Sequence, residues 1–282
     1  VISAVLLRMF GPVGRLAERN ALRNPRRTVA TTGPLLTTAA ETLRASANEM
    51  LLTGLALALA GWPPCGLSVL VDMEGHGREE ISAETDLSRT VGWFTTLFPV
   101  RFELDRLDAP DAVAGGPTVA VALQRVKDLV RTIPGKGLGY GLLRHLRPDI
   151  GQTLAAADRP DIGFNYLGRF EVATAADWQM SPEFGARLDA PGPGMPLAHA
   201  VELNTVVLES AEGPVLRADW AWPSGVLDGD ELRALAESWF RMLTALVTYA
   251  DRPSVGGAGG DMTVAMIDQD ELDDLAATLD LF

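Results

Sequence analysis

Cysteine is nearly absent. Cys65 stands alone, which excludes an internal disulfide framework and a cysteine-rich zinc site. Histidine is scarce, and His76, His145 and His199 are too scattered to mark a metal site by spacing. Basic charge is outweighed, with 24 Lys and Arg against 37 Asp and Glu. The resulting net charge of -13 argues against nonspecific nucleic-acid binding, which needs a basic footprint. Lysine is confined to Lys127 and Lys136; with abundant Ala, Gly and Arg, this looks like a GC-rich coding bias more than a functional choice of charge. The apolar run Met50 to Ala60 falls short of the about 20 residues a bilayer span requires. Val1 to Leu7 is apolar without a preceding basic region or an evident cleavage site, so it does not read as a secretory signal. What remains is a 282-residue chain, 47% hydrophobic, with ample material for one large core or two small ones. It is compatible with a reducing cytoplasm.

The chain is organised around Glu74-Gly75-His76-Gly77-Arg78-Glu79. Val69 to Met73 is short, apolar and partly β-branched, and predicts a buried strand. Gly75 and Gly77 allow a sharp turn at its end and present Glu74, His76, Arg78 and Glu79 together. Such a cluster is either a polar turn whose charges pair with one another or a site, because isolated charges are costly to bury.

Residues 1–31 are basic, with Arg8, Arg15, Arg19, Arg23, Arg26 and Arg27 against Glu18. Glu41 to Ala60 reads as one buried helix, stopped by Gly61 and Pro63-Pro64. Val91 to Pro99 carries apolar residues on both alternating faces and predicts an interior strand ending at Pro99. In that reading Trp93 and Phe94 belong to the core, or one of them lines a substrate channel. Asp108 to Pro117 reads as a loop and Thr118 to Thr132 as a helix, broken by Ile133 to Gly137. Lys136 among glycines lacks the spacing of a phosphate loop. A helix opening at Gly139-Tyr140-Gly141 carries Leu142, Leu143 and Leu146, with His145 a surface or packing residue.

Asp161 to Phe170 predicts a strand whose polar members, Asn165 and Tyr166, need partners. Ala173 to Gly194 reads as a loop, and His199 as a loop residue before two antiparallel strands, Ala200 to Leu208 and Pro214 to Trp222. Asp228 to Ala250 predicts a long helix with a buried stripe through Leu232, Leu235, Trp239, Leu243 and Leu246. A Gly-rich break at 256–260 precedes an acidic closing segment.

EGHGRE followed by Arg89-Thr90-Val91-Gly92-Trp93-Phe94-Thr95-Thr96-Leu97-Phe98-Pro99-Val100 resembles the epimerization-type members of the condensation-domain superfamily in nonribosomal peptide synthetases. Ile133 to Gly141 and Phe164-Asn165-Tyr166-Leu167-Gly168-Arg169-Phe170 resemble two more motifs of that family, in the family's order; its FNYLGQF reads FNYLGRF here. The resemblance runs from about Thr32 to the C-terminus, residues 32–282, and covers the second half of such a domain. Leu16 to Thr28 resembles instead the segment before a transmembrane helix in FtsX-type permeases, but the resemblance breaks where the span should begin. Residues 1–31 are therefore read as a fusion scar or out-of-family leader, with a basic membrane-surface anchor as the other reading.

The resemblance implies an α/β (α+β) fold: a mixed sheet with packed helices, one lobe of a chloramphenicol-acetyltransferase-like architecture. It implies a substrate, an aminoacyl or peptidyl thioester on the phosphopantetheine arm of a peptidyl carrier protein, and no cofactor or metal bound by this chain. Carried over, Glu74 is one acid/base, and Tyr166 and Asn165 lie near the reacting carbon or its enolate. Asn165 and Tyr166 are otherwise a buried hydrogen-bonded pair, and His76 a turn histidine held by Glu74 or Glu79. His76, Trp93 and Arg78 are the candidate substrate-binding residues. The family's opposing base comes from an HHxxxDG motif, and no two histidines adjoin in this chain. Three readings follow: a half-domain of the epimerization type, inactive without a partner lobe and exposing an apolar face where that lobe would sit; a noncatalytic module binding a carrier protein or synthetase partner; and a membrane-associated protein led by residues 1–31.

Overall fold

The computed structural model describes residues 32–252, apart from 64, 80, 83, 88, 172–197, 211–212 and 223–226. The basic leader, the Ala173 to Gly194 loop, the 256–260 break and the acidic closing segment lie outside the described residues.

Five strands form one mixed sheet: β1 (Ser68–Gly75), β2 (Thr96–Glu103), β3 (Ile162–Glu171), β4 (Val201–Ser210) and β5 (Gly213–Ala221), in the order β2-β1-β3-β4-β5. β1 runs antiparallel to β2 and parallel to β3; β3 runs parallel to β4, and β4 and β5 form an antiparallel pair. Each parallel step needs a long crossover, and the one from β1 to β3 contains β2, α3 (Ala109–Val113), α4 (Thr118–Thr132), α5 (Leu138–Leu146) and α6 (Pro148–Ala156). α1 (Thr32–Thr42) and α2 (Ala47–Ala60) precede the sheet, and α7 (Gly229–Ala250) follows it.

Side chains alternate across a strand, and this divides the sheet into two unlike faces. Val71, Met73, Val100, Ile162, Phe164 and Leu203 join one core cluster with the buried sides of α1, α2, α4 and α7. α2 is buried all round from Met50 to Leu59, as expected for a helix without a polar side. Trp239 of α7 is wholly buried, donates its indole N–H to the Leu51 carbonyl at 3.1 Å, and meets Trp220 edge-on at 6.0 Å. The register then turns Asp72, Glu74, Gly163, Asn165, Glu202 and Asn204 to the opposite face.

Three local expectations are corrected. Glu41 to Ala60 is two helices, because Ser46 caps α2 in a capping box with Glu49 and Arg44 just before it has φ 48°. Asp108 to Pro117 contains the short helix α3, capped by Asp108. The strand expected over Val91 to Pro99 starts only at Thr96 and runs on through Pro99 to Glu103. Its partner β1 ends at Gly75, opposite Thr96, so the residues before Thr96 have no neighbour to pair with. Pro99 is tolerated inside β2 because β2 is an edge strand. Trp93 is accordingly 63% exposed and not a core residue, and Val91 is fully exposed. No helix among the described residues is long and apolar enough to cross a membrane.

Candidate functional site

β1 carries Asp72 and Glu74 onto the face that the core cluster does not use. A small recess there is lined by Asp72, Glu74, Leu97, Gly163, His199, Glu202, Leu203 and Asn204. Glu74 stands one residue beyond the last β1–β3 pair, Met73–Phe164, and Asn165 stands one residue beyond it on β3. Asn165 is buried and pairs in register with Asn204. Burial pushes the Glu74 carboxyl up, Glu202 adds to the rise, and His199 pulls it back, leaving it at about 7. A carboxyl in that range exchanges its proton readily near neutral pH.

The recess is built on a histidine that sequence spacing leaves in a loop. His199 is in a loop, but its side chain is only 6% exposed. Its Nε2 lies 2.9 Å from Asp72 Oδ2 and its Nδ1 3.2 Å from Glu202 Oε1. Burial works against its charged form, but the hydrogen bonds to Asp72 and Glu202 outweigh it and raise its pKa to about 9. The signal in the sequence was a charged residue in each of two apolar strands, Asp72 in Val-Leu-Val-Asp-Met and Glu202 in Val-Glu-Leu, each requiring a partner.

The turn after Glu74 does not gather all of its charges into that recess. His76 Nε2 lies 3.2 Å from Glu79 Oε1, and Lys136 Nζ lies 2.8 Å from Glu79 Oε2. The His76 Nδ1 accepts the Arg78 N–H at 3.0 Å, so its partner is Glu79 and not Glu74. Arg78 donates to the Leu87 and Thr90 carbonyls at 2.7 and 2.8 Å and lies 4.4 Å over the Phe94 ring. Arg78 therefore fastens the 81–95 segment to the turn. Gly77 makes this approach possible: with φ +65°, a Cβ there would fall 1.6 Å from the Phe94 carbonyl oxygen.

Tyr166 follows Asn165 on β3, so alternation turns it to the other face, where it packs against the core cluster. Burial raises its phenol pKa, and Arg169 partly opposes this. The structure thus brings Glu74 and Asn165 to one face and sets Tyr166, Trp93, His76 and Arg78 apart from the recess. A larger cavity of about 480 Å³ lies elsewhere, between β2 and α4, where Arg125 is already engaged with the Glu103 and Asp105 carbonyls. Among the described residues no group of three His, Cys, Asp or Glu is arranged to hold a metal ion.

The Condensation domain family matches residues 18–186 of this chain, beginning within the basic segment. A component of the linear gramicidin synthase of Brevibacillus parabrevis is 34% identical over 253 residues, covering 87% of this chain and 5% of its own length. Tyrocidine synthase 1 of the same organism is 29% identical over 250 residues, covering 86% of this chain and 22% of its own length. Among solved structures, the epimerization domain from the third module of tyrocidine synthetase B superposes with a TM-score of 0.61 at 26% identity, covering 79% of this chain and 47% of that one. The chain therefore spans a small part of these curated relatives and just under half of that solved domain. It belongs to the Condensation domain family, and its mixed sheet with packed helices is one lobe of a chloramphenicol-acetyltransferase-like fold.

Proposed function

For this member of the condensation-domain family of nonribosomal peptide synthetases, we propose an epimerization-type half-site that acts on carrier-bound aminoacyl or peptidyl thioesters once an opposing lobe completes it. The observation that carries the reading is Glu74. It stands at the end of β1 in the EGHGRE motif, in a recess on the sheet face left free of the core, with a carboxyl that titrates near neutrality. The likeness to a solved epimerization domain supports the same reading.

In this reading the Glu74 carboxylate takes the α-proton of the thioester. The C–H electron pair moves into the thioester carbonyl as an enolate, and a proton returns to the other face of the carbon from a group on the opposing lobe. The reverse direction uses Glu74 protonated. Asn165, on the same sheet face and in register with the recess-lining Asn204, supplies an N–H donor for the enolate oxygen in this reading. Tyr166 enters only as a secondary group, because its ring packs toward the core. The phosphopantetheine arm belongs to the carrier protein, the partner in this reading, and reaches the recess from outside.

No pair of adjacent histidines stands in this chain, so the opposing base must come from elsewhere. Loss of one general acid or base costs about 10²–10⁴-fold, and loss of a lobe removes substrate positioning as well. The chain alone is therefore expected to be silent in an α-proton exchange assay in deuterated water with a carrier-bound aminoacyl thioester. Exchange by the chain alone that depends on Glu74 would replace the half-site reading with a one-base site.

A second reading, a noncatalytic module that docks a carrier protein or synthetase partner, uses the same kind of exposed apolar surface that the half-domain reading leaves for its partner lobe, here α5. Its Leu142, Leu143 and Leu146 are 52%, 41% and 70% exposed, and none of its residues is buried. Binding of a carrier protein without turnover, even with the opposing lobe present, would favour that reading.

A further inference from the structure

The Glu74 recess contains more charge than the proposed reaction uses. Asp72, Glu74 and Glu202 all face it, and His199 is the one basic side chain among its lining residues. Three carboxylates gathered on one largely buried face repel one another, so something must compensate them.

We propose that His199 is a positioning residue of the Glu74 site, held as a cation between Asp72 and Glu202 so that Glu74 can carry its own proton on and off. This inference rests on the reading of Glu74 as an acid/base. Four observations on the molecule support it.

Both ring nitrogens face carboxylate oxygens, Nε2 toward Asp72 at 2.9 Å and Nδ1 toward Glu202 at 3.2 Å. A neutral imidazole has a single N–H and can satisfy only one such acceptor, whereas an imidazolium satisfies both. The geometry therefore calls for the charged ring. The backbone beside it is fastened independently: the Ala200 and Val201 N–H groups both donate to the Asp161 carbonyl, at 2.9 and 3.0 Å, which ties the start of β4 to the start of β3. The ring lies over Gly163, where a Cβ would come within 2.7 Å of Nδ1, so glycine at this position keeps the space the ring occupies.

The charge balance around Glu74 completes the case. Asp72 on β1 and Glu202 on β4, set against one His199 cation, leave one negative charge beside Glu74. That charge favours the protonated acid without locking it. On β5 the same face carries Arg217 and Asp219, paired with each other at 3.0 Å, so they add no net charge. β2 contributes the uncharged Leu97 and Pro99 opposite Glu74 and Asp72, and the next residue on this face, Arg101, lies opposite Leu70 and donates to Ser68 Oγ at 3.1 Å, outside the recess lining. β3 contributes Gly163 and Asn165, also uncharged. His199 is thus the cation that keeps the site from carrying three uncompensated carboxylates.

The test is a side-chain carbon NMR titration of Glu74 in the full chain, with ¹³C-labelled glutamate and Glu74→Gln to assign the signal. In His199→Gln, which removes the cation, the Glu74 midpoint is expected to rise by about one pH unit or more. In Glu202→Gln, which removes an anion, it is expected to fall toward the ordinary carboxylate range. The two shifts have opposite signs. If His199 were only a packing residue, both variants would admit water and move Glu74 the same way, downward; that result, or no movement in either, overturns the proposal. Should His199→Gln fail to fold, the wild-type ring decides: nitrogen shifts of a doubly protonated His199 at pH 7.5 are expected, and those of a neutral tautomer overturn it. These readouts need no substrate. Failure of the epimerization reading would appear as absent α-proton exchange in the completed site with the titration shifts intact.

Discussion

His199 Nε2 and Asp72 Oδ2 lie 2.9 Å apart although 127 residues separate them in the chain. The contact joins His199, two residues before β4, to the middle of β1 across β3, and it ties the sheet to the charge state of its polar face.

That tie makes stability depend on pH. Glu74 binds its proton more tightly in the folded chain, at about 7 against an ordinary 4.5, so its contribution is full below 4.5 and is lost as pH rises through 7. His199 has the same sign: its contribution is full below its ordinary 6.5 and is lost as pH rises through about 9. Urea unfolding is therefore expected to show stability falling from pH 5 to pH 9. Glu74→Gln should gain on the wild type over pH 5 to 8 by at most a few kcal/mol, at about 1.4 kcal/mol per pKa unit. A difference between the two that does not change with pH would contradict the Glu74 assignment.

Gly163→Ala tests the packing of the cluster. A Cβ at this position comes within 2.7 Å of the His199 ring, so the ring must move off the Asp72–Glu202 bridge. The expected result is a His199 titration midpoint that drops from about 9 toward its ordinary 6.5, while the chain stays folded. Nitrogen NMR of His199 checks it.

Arg78→Ala should loosen the 81–95 segment. The side chain makes two hydrogen bonds to carbonyls and stacks on Phe94, contacts worth on the order of 1–3 kcal/mol together. Limited proteolysis is expected to cut faster within 81–95, with the rest of the chain protected. Arg78→Lys should restore little, because an ammonium lacks the planar fork that reaches both carbonyls and lies flat on the ring.

Ser46→Ala removes one half of the capping box that starts α2. A loss of about 1 kcal/mol in denaturant unfolding is expected. Leu146→Glu on α5 should leave stability within about 0.5 kcal/mol, because the side chain is exposed.

Much of this fold is written in local patterns. The helical spacing of Val119, Leu123, Val126 and Val130 gives α4 its observed bounds, and the turn between two apolar runs gives the β4–β5 pair to within two residues. The break between α1 and α2 was also present locally, as Ser46 and Glu49 at capping-box spacing, but the apolar run from Met50 masked it. The limits of β2 were not local. They follow from where β1 ends and from β2 lying at the sheet edge, and alternation within 91–99 carries neither fact. The site divides the same way. Glu74 is announced by its motif and its glycines. The separation of Asn165 from Tyr166 onto opposite faces follows from alternation once β3 is known to have one face in the core. The His199 bridge depends on the order of three strands, which residue spacing does not encode.

The most direct test of the account joins this chain to a separately expressed first lobe that carries the HHxxxDG motif. Once binding is established, deuterium wash-in at the α-carbon of a carrier-bound aminoacyl thioester is followed. The account predicts exchange by the pair and none by the chain alone, with Glu74→Gln lowering the rate of the pair by about 10²–10⁴-fold. A bound pair that exchanges equally well with Glu74→Gln, or one that does not exchange at all, would contradict it.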